Sequence, residues 1–331
     1  MSDKPLVLLT HPLPRAWLGP LPERTRLVVG PADVAGLAPE LEPYLAQAEG
    51  LLTWLTDRVD AALLDRMPRL RVISNYAVGV DNIDVAACTR RGIPVGHTPG
   101  VLTDAVADLT WALLLAVARG IFTAAEDARQ GRWGLWSATR WLGADLAGRT
   151  LGIVGFGAIG QAVARRARGF DMRVLYTSRT PKPHAEMALA ARRVPLETLL
   201  AESDFVSLHV PLTPATRGLI GEAQLRRMKP TAYLVNMARG PVVDTDALVQ
   251  ALRQGWIAGA ALDVTDPEPL PPTHPLYHLP NVLITPHIGS ATHGTRERMA
   301  RLAVENLLAG LEGRRLPRVV NPEVYEVHHG R

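Results

Sequence analysis

Apolar residues come in short bursts along this chain, separated by stretches where they recur every three or four positions. In the first hundred residues the bursts fall at 6–9, 26–29, 50–55, 71–74 and 94–96, the length of strands. Helical spacing lies between them at 61–66 and 84–91, the latter opening on an acidic N-cap, Asp84, and closing at Gly92. Such alternation implies a parallel sheet with helices on both faces. Thr98-Pro99-Gly100 then breaks the pattern. A long helix is expected at 103–119, apolar on most faces and therefore buried, with a second at 122–131. Strands resume at 151–154, 173–176, 205–208, 232–236, 260–263 and 282–285, with helices at 197–202, 222–228 and 245–254 among them and a last one at 295–311. The pattern predicts an α/β chain with two doubly wound parallel-sheet domains.

One strand runs into a glycine motif. Leu151-Gly152-Ile153-Val154-Gly155-Phe156-Gly157-Ala158-Ile159-Gly160 reads as strand, then Gly-x-Gly-x-x-Gly, then a helix with Ile159, Val163, Ala164 and Ala167 on one face. Gly155 permits a tight turn, Gly157 lets backbone N–H groups approach a pyrophosphate, and Gly160 lets helix and strand pack closely. Phosphates would sit at the positive end of the helix dipole, on the turn that includes Ala158 and Ile159. A glycine triplet alone is weak. Strand, glycines, helix and second strand in order make a dinucleotide-binding unit. The second strand ends Leu175-Tyr176-Thr177-Ser178-Arg179-Thr180, with no acid to take the ribose hydroxyls, and Asp171 comes too early. Ser178, Arg179 and Thr180 can donate to a 2′-phosphate, so NADPH is expected to be preferred, with NADH also usable.

Composition narrows the rest. With 331 residues, 47% of them hydrophobic, the chain can bury two cores. The longest purely apolar run, 111–118, is too short for a bilayer, and the first residues lead straight into a strand without a signal peptide. One cysteine, Cys88, excludes an intramolecular disulfide and a Cys-rich metal site, which fits a reducing cytoplasm. The pI near 9.5 reflects only 36 basic against 32 acidic residues, and the arginines are dispersed. No nucleic-acid or membrane partner is expected. His328 and His329 read as a flexible tail where a metal would lack further ligands. Trp133, Trp136 and Trp141 crowd a loop-like stretch, which points to a subunit or domain contact.

Three polar residues follow successive strands: Arg239 after 232–236, Glu268 after 260–263 and His287 after 282–285. Parallel strands bring their carboxyl ends to one edge, so the three can converge beside the cofactor. An Arg pairs bidentately with a carboxylate, a His protonates a forming alkoxide, and a carboxylate holds the imidazole and favours its charged form. That is the equipment for reducing an α-keto acid. Singly, they read better as an Arg cap, a surface Glu and a helix-initiating His. The loop at 75–82, with Gly79, is either an ordinary turn or an anion site at a strand end. His209 is read as structural, Asp81 and Asp84 as turn and cap residues.

The motifs Leu234-Val235-Asn236-Met237-Ala238-Arg239-Gly240, Leu262-Asp263-Val264 with Glu268-Pro269, and Thr285-Pro286-His287-Ile288-Gly289-Ser290-Ala291-Thr292 resemble the D-isomer-specific 2-hydroxyacid dehydrogenases, over nearly the whole chain. Val101-Leu102-Thr103-Asp104, Tyr176-Thr177-Ser178-Arg179 and Leu212-Thr213-Pro214-Ala215-Thr216 resemble the glyoxylate/hydroxypyruvate reductase branch. The resemblance implies a Rossmann cofactor domain at 100–287 inserted into a flavodoxin-like substrate domain at 1–99 and 288–331, with the active site in the cleft. It implies that Val78 and Gly79 N–H groups and Arg239 hold the substrate carboxylate, with Ser290 nearby, and that Trp141 reaches into a partner subunit's site in a homodimer. It also implies cofactor contacts from Thr103, Pro211, Thr216, Met237, Ala238 and Gly289, with Asp263 on the nicotinamide carboxamide. The expected reaction is glyoxylate to glycolate and hydroxypyruvate to D-glycerate. Another substrate of the same family, phosphoglycerate or a bulkier keto acid, is an alternative, as is a dinucleotide-sensing corepressor-like scaffold.

Overall fold

The computed structural model describes residues 4–34 and 36–326; His328 and His329 lie outside them. The chain divides into two compact units, one running to Leu102 and resuming at Thr292, the other spanning Thr103–Ala291.

The first unit carries a five-stranded sheet of β1 (Leu6–Leu9), β2 (Arg26–Val29), β3 (Gly50–Thr53), β4 (Val72–Asn75) and β5 (Val95–Gly96). All pairings are parallel and the order is β2-β1-β3-β4-β5, the flavodoxin-like arrangement. Alternate side chains serve opposite faces. Leu8, Leu51 and Ile73 join Leu63, Leu64, Ala87 and Cys88 of two short helices in one apolar cluster. The helix His293–Leu311 covers the other face, where Gly310 lies so close to Val72 that a Cβ would sit 2.4 Å from it. Ser74 Oγ also donates to the Ala303 carbonyl at 2.8 Å there. Asp84 caps its helix by accepting from Ala87 N–H at 2.8 Å, and Asp60 does the same for Leu63 at 3.0 Å, each stabilising by about 1 kcal/mol.

The second unit holds seven parallel strands: β6 (Thr150–Val154), β7 (Arg173–Thr177), β8 (Ala191–Arg193), β9 (Phe205–Leu208), β10 (Tyr233–Asn236), β11 (Gly259–Leu262) and β12 (Val282–Ile284). Their order is β12-β11-β10-β9-β6-β7-β8, with the reversal between β6 and β9, as in a dinucleotide-binding sheet. Six strands were expected here. The seventh, β8, escapes the apolar pattern because only Ala191 of its three residues is buried, while Arg192 and Arg193 are exposed at the sheet edge. The helix Pro183–Leu189 leading to it was missed for a related reason, burying only Leu189.

The helix Thr103–Ala118 is buried along most of its length, as its composition predicts. Trp111 fastens it to the helix Ala158–Ala167, its Nε1 donating to the Val163 carbonyl at 3.1 Å while the ring stacks on Phe170 at 4.6 Å. Among the described residues no single helix is long and apolar enough to cross a membrane. The next helix, Ile121–Arg129, buries no residue, and beyond it Leu135 and Trp136 are 91% and 86% exposed. So much apolar surface in one segment is unusual for a surface that stays in water.

Candidate active site

The carboxyl ends of β10, β11 and β12 are level, with Asn236 opposite Leu262 and Leu262 opposite Ile284. Arg239, Glu268 and His287 all leave from this edge. Two of them meet directly: His287 Nδ1 and Glu268 Oε1 are 2.6 Å apart, with the side chains 23% and 34% exposed. A carboxylate on Nδ1 fixes the ring and leaves Nε2 as the nitrogen that can hand over a proton. Glu268 sits between two cis peptide bonds, Asp266–Pro267 and Glu268–Pro269, and its Oε2 accepts from Thr265 N–H at 3.3 Å.

The loop bearing His287 is held by Asp263. Its carboxylate accepts from Thr285 Oγ1 at 2.7 Å, Ile288 N–H at 2.8 Å and Gly289 N–H at 2.8 Å. Burial pushes the Asp263 carboxyl up, and these three donors oppose it. His287 itself has φ +52°, a left-handed conformation that costs a side-chain-bearing residue roughly 1–2 kcal/mol. Its N–H answers that cost with contacts to the Asp263 and Thr285 carbonyls at 2.9 and 3.0 Å. Ser290 follows Gly289 and is half-buried.

Arg239 is half-buried on the turn after β10 and donates through Nη1 to the Ala238 carbonyl at 2.9 Å. Asn236 shapes that turn, accepting from Ala238 N–H at 3.0 Å and donating to the Arg239 carbonyl at 3.0 Å. The apolar pattern alone gives Asn236 no task. An amide placed three residues before the functional side chain is the signal that could have found it.

The glycine motif fits a dinucleotide. Gly155 has φ +97°, and a Cβ there would lie 2.6 Å from the His209 carbonyl. At Gly160 a Cβ would fall 2.2 Å from the Gly155 carbonyl, whereas above Gly157 nothing lies within 4 Å. The first and third glycines are needed for the turn, and the middle one faces open space. Gly157 is also the N-cap of the helix Ala158–Ala167, which has no side-chain cap, so the N–H groups at Ala158, Ile159 and Gly160 are aimed at whatever anion arrives. On the next strand end Thr216 Oγ1 donates to the Pro211 carbonyl at 2.6 Å and closes that loop. Gly289 packs between Asp263 and Met237, with a virtual Cβ 3.1 Å and 3.4 Å from them.

His209 sits at the end of β9 beside the glycine turn. Part of the residue is accessible, but its ring nitrogens are withdrawn: Nε2 lies 2.7 Å from Ser207 Oγ and Nδ1 is buried without a partner. Burial lowers its pKa to about 3. Between pH 6.5 and 3 the unfolded chain therefore binds one more proton here than the folded chain, so stability falls as the pH falls through that window. The slope is up to about 1.4 kcal/mol per pH unit. Guanidinium unfolding at pH 7, 6 and 5 should show a shallower loss for His209→Asn than for the parent; equal slopes would remove the assignment.

In the first unit, Val78 and Gly79 lie in the loop after β4, half-buried. Its carbonyls are tied back: His97 Nδ1 donates to Val78 at 2.9 Å and Asn75 Nδ2 to Gly79 at 2.8 Å. Neither His97 nor Asn75 was singled out in sequence.

Residues 111–289 match the D-isomer specific 2-hydroxyacid dehydrogenase, NAD binding domain. The chain is 51% identical over 328 residues to a glyoxylate reductase of Thermococcus gammatolerans, covering 98% of each. A crystal structure of a Thermus thermophilus protein aligns with TM-score 0.89 at 54% identity, covering 95% of this chain and 99% of that one. A Sinorhizobium meliloti NADPH-dependent glyoxylate/hydroxypyruvate reductase, solved with NADP and malonate, aligns with TM-score 0.84 at 34% identity, covering 96% and 97%.

The chain belongs to the D-isomer-specific 2-hydroxyacid dehydrogenases.

As a member of that family it is an oxidoreductase that binds a nicotinamide dinucleotide. Trp141 donates its indole N–H to Asp127 at 2.8 Å, and the Arg140 guanidinium lies 4.1 Å over its ring. That indole bond, ahead of Arg132, holds the Asp127 carboxyl below its usual range. Ser178 Oγ donates to the Thr180 carbonyl at 2.7 Å, closing the turn after β7 on itself. Thr103 opens the first helix of this unit.

Proposed function

We propose that this dehydrogenase reduces small 2-keto acids, glyoxylate to glycolate and hydroxypyruvate to D-glycerate. The observation that carries the reading is the His287–Glu268 pair at 2.6 Å on the strand edge that also bears Arg239. Bound nicotinamide supplies the hydride. Arg239 orients the substrate carboxylate; His287 Nε2 gives the proton to the carbonyl oxygen; Glu268 holds the ring in alignment through Nδ1. Relatives named glyoxylate reductase, at about half identity along the full length, support a small keto acid. Steady-state assays with glyoxylate, hydroxypyruvate, pyruvate and phosphohydroxypyruvate test it. A higher kcat/KM for either of the last two would reassign the substrate, and no turnover of any would leave a sensing scaffold.

NADPH is the preferred cofactor in this reading, NADH being usable. The turn after β7 has no acid to repel a 2′-phosphate, and Arg179 is exposed on it. Arg179→Ala should lower the NADPH/NADH ratio of kcat/KM by roughly ten- to a hundredfold, the effect of losing a charge-assisted contact of ~1.5–3 kcal/mol. An unchanged ratio would refute Arg179 as the discriminating residue.

The enzyme is a cytoplasmic homodimer in the same reading. The exposed segment with Trp133, Leu135, Trp136 and Leu142 supplies an apolar contact face, and Trp141 in the same segment is the residue that enters the partner's site in this reading. The buried Cys88 thiol, pushed up to about 11 by its burial, suits a reducing compartment. A monomer by sedimentation at micromolar concentration would overturn the dimer.

A further inference from the structure

Strand β8 had no signal in the apolar pattern, yet it delivers a cation to the turn after β7. Arg193 lies opposite Tyr176 in the β7–β8 register, and the following Val194 N–H donates to the Tyr176 carbonyl at 2.9 Å. From there Arg193 Nη2 donates to the Ser178 carbonyl at 2.9 Å and to the Arg179 carbonyl at 3.3 Å. The acids of this region are engaged elsewhere. Glu202 pairs with Arg173 and Arg192, while Glu186 takes the Tyr176 hydroxyl and the Lys182 N–H. Among the described residues Arg193 has no carboxylate partner, so its charge is not neutralised by an ion pair. The Ser178 hydroxyl proton is committed to the Thr180 carbonyl and must rotate away before it can serve a ligand. Attraction for a phosphate at this turn therefore falls mainly on guanidinium groups.

We propose that Arg193 is a specificity-determining residue for the adenosine end of the cofactor. It fixes the 178–180 turn through two carbonyls and adds a second positive charge beside Arg179 for a 2′-phosphate. A guanidinium on those carbonyls offsets their negative ends, which would otherwise repel a phosphate at the same turn. The inference rests on the NADPH preference proposed above and deepens it.

Calorimetric titration of 2′,5′-ADP and of 5′-AMP into the full-length protein tests it without turnover, using the parent, Arg193→Gln and Arg193→Lys. In Arg193→Gln, affinity for 2′,5′-ADP should fall roughly tenfold while that for 5′-AMP changes less than about twofold. Arg193→Lys should keep part of the preference through its charge but not the fork that grips both carbonyls. A parent that favours 2′,5′-ADP beside an Arg193→Gln variant with the same ratio overturns this inference and leaves the NADPH reading standing. Equal affinity of the parent for both nucleotides overturns the two together. Proportional loss of both nucleotides with a lowered melting temperature would reduce Arg193 to a structural arginine and end the proposal.

Discussion

Replacing His287 with Asn is expected to lower kcat for keto-acid reduction by ~10²–10⁴-fold, with the fold intact by circular dichroism. The ring is partly exposed, so the fold gains little from it, and its side-chain contact is to Glu268 at 2.6 Å. What disappears is the proton donor and a positive charge where the alkoxide forms. Glu268→Gln gives the graded companion result. An amide in the same place orients the ring but supports imidazolium less well than a carboxylate does. Proton transfer draws on that ring, so kcat in the variant should fall, by less than in His287→Asn. Arg239→Ala should raise KM for the keto acid first and lower kcat through poor orientation. A His287→Asn enzyme as active as the parent, or a Glu268→Gln enzyme with an unchanged kcat while chemistry limits the rate, would sink the assignment.

Much of this was legible in the chain because buried parallel strands advertise themselves. β6, β9 and β11 are buried from end to end and appear as largely apolar runs in the sequence. The glycine motif was equally readable, since two of its glycines answer to backbone contacts below 3 Å. Arg239, Glu268 and His287 stand out by position rather than by local pattern: parallel strands share one edge, so residues just past their ends are brought to it. What stayed hidden carries little apolar signal. Arg192 and Arg193 form an edge strand through main-chain pairing alone. Asn75, His97 and Asn236 act on backbone carbonyls and amides of their own or neighbouring loops, and a polar side chain bonded to main chain looks in sequence like any solvated one. Asp263 was read for the cofactor, but its hold on three donors of the His287 loop appears only once β11 and β12 are paired.

The other large effect is expected at a residue that touches no substrate. Gly240→Ala should lower the stability of the cofactor-binding unit by ~1–3 kcal/mol or more and reduce kcat/KM by about a hundredfold. A Cβ at 240 would stand 1.9 Å from the Thr265 carbonyl oxygen and 2.1 Å from its carbon. Both are main-chain atoms, so no rotamer change relieves the clash and one of the two loops must move. The loop with Thr265 is fixed on its far side, Thr245 Oγ1 donating to the Asp266 carbonyl at 3.0 Å and Thr265 Oγ1 to the Pro267 carbonyl at 2.9 Å. Moving it carries Glu268 away from His287; moving the other carries Arg239, the preceding residue. Either way the trio loses the ångström-scale placement on which its chemistry depends. Gly157→Ala is the matched control, because nothing lies within 4 Å of a Cβ there. It should melt like the parent while binding the dinucleotide less tightly, since the added methyl occupies the space left for the pyrophosphate. Should Gly240→Ala instead melt and turn over like the parent, the close approach of the two loops would not be what holds Arg239 and Glu268 in register.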